Sequence, residues 1–183
     1  MPRGSHSSFS KPLCPENYTA AEVAALLQLK PLDGEGGFFR RSAESNAILA
    51  GGDRRAYSVI YSLLTPEGFS AMHRLATDEI WCFHAGDAVE SLRLSPDGTG
   101  EWIKMGLDLP AGELPQTVVQ ARVWQGTRLL HGGRWALMSC IVAPEFRWED
   151  FELATRHQLA AAHPDFVEAI CALTRLHPPP GSR

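Results

Sequence analysis

The feature that most constrains this chain is a succession of short β-rich runs between residues 35 and 142, each closed by a turn signal. The run 56–64 ends at Thr65-Pro-Glu-Gly68, the run 79–84 at Ala85-Gly-Asp87, and the run 88–94 at Ser95-Pro-Asp-Gly98. Turns that recur every 8 to 12 residues or so leave no room for crossover helices. Parallel βαβ units are therefore excluded, and an antiparallel sandwich or closed barrel remains. Further runs at 69–75, 102–107, 117–123, 127–130 and 134–142, with a strand that starts in 35–40, bring the set to about nine or ten strands.

Helical patterning is confined to the two ends. Thr19-Ala-Ala-Glu22 is a capping box, and Val23, Leu26, Leu27 and Lys30 recur at helical spacing until Pro31 stops them. A helix with one apolar stripe must dock on something, here the outside of a sheet. Near the other end, Thr155 and Gln158 open a short helix. Pro164 then precedes a stripe of Phe166, Val167, Ile170 and Leu173, and the tail His177-Pro-Pro-Pro-Gly181 reads as frayed. Met1-Pro-Arg-Gly-Ser-His6 reads as the scar of a cleavable expression tag. Residues 1–7 are set aside on that ground, and 8–183 read as one domain without repeats or linkers.

Net charge is −4 and no run is rich in Lys or Arg, which argues against nucleic acid or an anionic membrane as partner. No stretch of about 18 apolar residues could cross a bilayer. The first residues hold no signal-peptide core, so the expected location is cytoplasmic. Cys14, Cys82, Cys140 and Cys171 fit no zinc or redox spacing and are expected as free thiols, at least two of them buried.

One stretch carries a specific pattern. Gly68, His73, Glu79 and Gly86 follow the first cupin motif, in which a glycine precedes His-x-His, then a Glu, then a second glycine. There is one residue fewer after Gly68, and Leu75 stands where the second His belongs. Other matching words are Glu35-Gly-Gly-Phe-Phe-Arg40, Ile60-Tyr61, Leu64-Thr-Pro-Glu67, Asp78-Glu-Ile-Trp81, Ala85-Gly-Asp87, Pro115-Gln116, Val142-Ala-Pro-x-Phe146 and Glu149-Asp-Phe-Glu-Leu153. With these, residues 29–159 resemble a cupin subfamily long filed as a domain of unknown function. The resemblance implies a mainly β fold, the double-stranded β-helix or jelly-roll barrel, commonly paired as a homodimer. One N-terminal and two C-terminal helices extend it. No firm activity is implied.

In metal-holding cupins, three His and one Glu face the barrel mouth. His73 and Glu79 occupy two of those positions, and Gln125, after Trp124, stands where the His of the second motif is expected. His73, Glu79 and Gln125 are thus the candidate ligands of a divalent transition metal, although losing two imidazoles weakens such a site well beyond tenfold. Without a cofactor, His73 is the candidate catalytic base, with an unperturbed pKa of about 6.5, and Glu79 orients it. Cupin sugar epimerases work in this manner.

Glu79, Trp81 and Phe83 share one strand face by period two. With Tyr61, Trp124 and Gln125 they are candidate ligand contacts, since flat aromatic walls suit a sugar ring or nucleobase. Arg40 and Arg122 are candidate partners for a phosphate or carboxylate. Glu145, Glu149, Asp150 and Glu152 read as a solvated, capping run. Three functional readings stay open. One is a metal-free sugar or nucleotide-sugar binding protein of isomerase or epimerase type. The second is a metal-dependent oxygenase or isomerase. The third is a non-catalytic binding protein.

Overall fold

A computed structural model describes residues 11–175; the tag-scar reading of 1–7 and the Pro-rich tail lie outside them. Eleven strands form two antiparallel sheets. They are β1 (Lys30–Pro31), β2 (Phe38–Glu44), β3 (Ser58–Leu64), β4 (Ser70–Leu75), β5 (Asp78–Gly86), β6 (Val89–Leu94), β7 (Gly100–Met105), β8 (Gln116–Val119), β9 (Trp124–Leu129), β10 (Ala136–Ala143) and β11 (Phe151–Leu153). The first sheet runs β1-β2-β3-β10-β5-β8 and the second β11-β4-β9-β6-β7. Non-consecutive neighbours such as β3-β10-β5 are what a jelly roll requires.

The interior between the sheets is filled by Leu64, Leu75, Trp81, Phe83, Val89, Met105, Val119, Leu129, Met138, Cys140 and Val142. Each sheet is also covered outside. Helix α1 (Ala20–Leu26) lays Val23 on Leu63, Ala85, Trp135 and Leu137 of the first sheet. Helices α2 (Arg156–Ala162) and α3 (Val167–Ala172) lay Leu159, Ile170 and Leu173 on Met72, Leu92 and Leu94 of the second.

The capping box forms as read: Thr19 accepts from the Glu22 amide while the Glu22 carboxylate accepts from the Thr19 amide at 2.8 Å. The helix, however, ends at Leu26 instead of Lys30. Gln28 adopts a left-handed φ of 54°, and Lys30-Pro31 turns into strand against Phe38-Phe39. Residues 145–153 depart further from expectation. Phe151–Leu153 is a strand beside β4, and Glu145 and Asp150 are half-buried partners of Arg54 and Arg55. All four cysteines are free, but only Cys140 is buried; Cys14 and Cys82 are half-buried and Cys171 is exposed. Among the described residues, no helix is long and apolar enough to cross a membrane.

Candidate functional site

Strand alternation decides which candidates meet. On β4, Met72 and Arg74 point outward while His73 and Leu75 point inward; Leu75, in place of a second imidazole, packs in the apolar interior. On β5, Glu79, Trp81 and Phe83 are buried, whereas Ile80 and Cys82 are half-buried and His84 is exposed. On β9, Gln125 points inward opposite His73. His73, Glu79 and Gln125 are 2%, 6% and 1% exposed, so three polar groups share the barrel interior.

Their bonds are mutual. The Gln125 amide nitrogen donates to Glu79 Oε2, and the Gln125 oxygen accepts from Trp81 Nε1 at 3.0 Å. Cys140 Sγ donates to Glu79 Oε1 at 2.7 Å. His73 Nδ1 lies 2.8 Å from the Ala71 carbonyl, which can only accept, so Nδ1 carries a proton. His73 Nε2 is 3.7 Å from Glu79 Oε2.

Sequence reasoning missed a second carboxylate. Glu35 Oε1 lies 3.7 Å from His73 Nδ1 and accepts from Ser70 Oγ at 2.6 Å. It arrives there because Gly36 and Gly37 adopt φ of 111° and 72° and press the loop onto the barrel. A Cβ at Gly37 would sit 2.8 Å from the Leu63 carbonyl. The glycine pair after an acid was the available signal; read as a strand start, it hid the inward turn.

The imidazole is therefore clamped between two acids. Burial by itself disfavours its charged form, but the Glu35 and Glu79 carboxylates outweigh that and push its pKa up to about 9. Burial pushes the Glu35 carboxyl up, opposed by His73 and Ser70. The Glu79 carboxyl is held below its ordinary range, because His73, Cys140 and Gln125 together outweigh its burial. Burial also drives the Cys140 thiol well up. A pKa of about 9 keeps the proton on the ring at neutral pH.

The remaining candidates fall elsewhere. Tyr61 and Arg40 are register partners on the outer face of the first sheet, with the guanidinium 5.7 Å over the ring; Ile60 and Leu64 take the inward positions of β3 instead. Trp124 alternates with Gln125 and so lies outside the second sheet, under Arg74 at 4.4 Å. Arg122 is exposed in a turn, at φ 68°. It lines a hollow of about 180 Å³ with Arg74, Leu75, Phe151 and Glu152. Phe83 faces inward but sits among apolar groups. Phe151, unmarked in the sequence reading, stacks on His73 at 5.2 Å and packs edge-on against Phe146 and Trp148. A second hollow, of about 500 Å³, lies over Asp33, Gly36, Gly37, Glu67, Gly68 and Arg175, outside the Glu35 loop.

The family model described as Cupin superfamily (DUF985) matches residues 21–154. The chain belongs to this cupin family. A protein from Shewanella oneidensis is similar to it at 35% identity, covering 87% of this chain and 99% of that one, with a TM-score of 0.81. A hypothetical protein from Leishmania major is similar at 31%, covering 86% and 99%, with a TM-score of 0.79. Oxalate decarboxylase from Bacillus subtilis shares the fold alone, at 12% identity and a TM-score of 0.51 over 85% of this chain and 38% of that one. No curated protein matches the sequence.

Cupins can hold metals, but the donor atoms of this DUF985 cupin are already occupied. One imidazole nitrogen is spent on Ala71, the Gln125 oxygen on Trp81, and both Glu79 oxygens on Gln125 and Cys140. Among the described residues no group of three or more His, Cys, Asp or Glu is placed to hold a metal ion. The expected His73, Glu79 and Gln125 set does not fit a divalent metal, because its donors are committed to one another.

Proposed function

We propose that this cupin binds a small polar molecule, of the sugar or nucleotide-sugar class, in its barrel and moves a proton on it through His73 without a metal. One observation carries the reading: the buried His73 ring lies between the buried Glu79 and the half-buried Glu35 carboxylates, with Nδ1 fixed on a carbonyl and Nε2 directed at Glu79. A ring pinned at one nitrogen and flanked by carboxylates is arranged to lend the proton of its other nitrogen to a substrate carbonyl oxygen while a flanking carboxylate takes the proton from the adjacent carbon, and both protons are then returned. That is the requirement of isomerisation or epimerisation beside a carbonyl. Trp81 supplies an aromatic wall and Phe151 covers the imidazole.

Burial of the cluster favours a second reading, a non-catalytic barrel in which the same network fixes the core. Replacing His73 by Ala does not separate the two, because it strands the buried Glu79 carboxylate beside the half-buried Glu35, at a cost of about 3–5 kcal/mol. The double variant Glu35→Gln/His73→Gln removes a carboxylate with the ring. A panel of aldoses, ketoses and nucleotide sugars is followed by solvent-deuterium incorporation and by thermal shift. The expected result is exchange in the parent and none in the folded double variant. Equal ligand response in both, or no response in the parent, overturns the catalytic reading.

The homodimer remains part of this proposal. The outer row Ala43, Val59, Ile141, Ile80 and Val118, aligned across five strands, supports it as an apolar face for a second copy. Light scattering is expected to give twice the chain mass; the mass of a single chain would contradict it.

A further inference from the structure

One cross-strand row of the second sheet faces the barrel interior: His73 on β4, Gln125 on β9 and Arg93 on β6, in mutual register. The first two face carboxylates: Gln125 donates to Glu79, and His73 lies between Glu35 and Glu79. Arg93 does not. It is 8% exposed, and among the described residues no carboxylate lies within 4.0 Å of it. Nη1 donates to the Val118 carbonyl at 2.8 Å and Nη2 to Thr117 Oγ1 at 2.6 Å, both neutral acceptors on β8. Nε is buried with no acceptor. Glu101, its register partner on β7, attracts it from the exposed sheet edge but stays beyond ion-pair distance, and burial still outweighs that attraction.

A guanidinium does not shed its charge, and a buried charge without a counter-charge is costly. Tying two sheets together through two neutral bonds does not require a full cation. The unused donors are laid out as a planar fork that matches a carboxylate or phosphate.

We infer that Arg93 is the anion-recognition residue of the barrel site, receiving the carboxylate or phosphate of a ligand whose polar body runs past Gln125 toward His73. Two strand spacings of about 4.8 Å place that group roughly 10 Å from the imidazole. This is the span of a hexose carrying its charge at the end remote from the reacting carbon. The inference rests on the proposed ligand site in the barrel and adds the ligand's charge and orientation.

The test uses D-glucose, D-glucose 6-phosphate, D-glucuronate and inorganic phosphate. Each is titrated calorimetrically into the parent, Arg93→Met and Arg93→Lys. In the parent, a phosphorylated or carboxylated sugar is expected to bind at least tenfold tighter than glucose, and which one does so identifies the anion. Arg93→Met is expected to lose that preference, and Arg93→Lys to keep the charge but weaken binding severalfold. Equal binding of glucose and the charged sugars, or undiminished binding by Arg93→Lys, overturns the role of Arg93 and leaves the barrel site standing. No binding of any probe by the parent overturns both. The parent panel and Arg93→Lys decide the matter should Arg93→Met fail to fold.

Discussion

His73 holds a proton that an isolated imidazole would release, and this has a signed consequence for stability. A group whose folded pKa is raised stabilises the fold fully below its ordinary value of about 6.5. That contribution is lost as pH climbs through about 9. Urea unfolding followed between pH 6 and 10 is expected to show falling stability across this window; a flat profile would contradict the clamp. The charge of Glu35 helps hold the proton on His73, so Glu35→Gln is expected to lower the His73 pKa, measurable by NMR titration. Gln125 serves two partners at once. Gln125→Ala strands the Glu79 carboxylate and the Trp81 indole, so a loss of about 2–4 kcal/mol is expected in chemical denaturation.

At the scale of elements, most strands were legible because turn residues punctuate them, and the His73/Glu79 pairing was legible from motif spacing. What was hidden has one physical cause: helices cover part of the outer face of each sheet, so apolar residues sit on both faces. On β6, Leu92 and Leu94 alternate with Ser91 and Arg93, and the usual rule would put the leucines inside. They face the C-terminal helices instead, so the polar face lines the barrel. Tyr61 and Trp124 were misplaced for the same reason, each being a large apolar residue on an outer face. The Glu35 loop depends on its glycines. Gly37→Ala meets the Leu63 carbonyl and a left-handed φ, so it is expected to destabilise by roughly 1–3 kcal/mol and to lower the His73 pKa as Glu35 withdraws.

At the scale of the molecule, the barrel encloses a charged and polar row beside its apolar core. Phe151 on the short strand β11 is its cover, stacked on the imidazole and backed by Phe146 and Trp148. Phe151→Ala is expected to raise the rate of His73 modification by diethyl pyrocarbonate at least tenfold, read by peptide mass spectrometry; an unchanged rate would assign access to another route. The whole functional account depends on the ionised, clamped imidazole, and side-chain nitrogen NMR of labelled histidine observes it directly. At pH 7.5 both ring nitrogens of His73 are expected to carry protons, with the ring titrating near pH 9. A neutral ring at that pH, or a midpoint near the ordinary 6.5, would show that the two carboxylates do not hold it and would contradict the account.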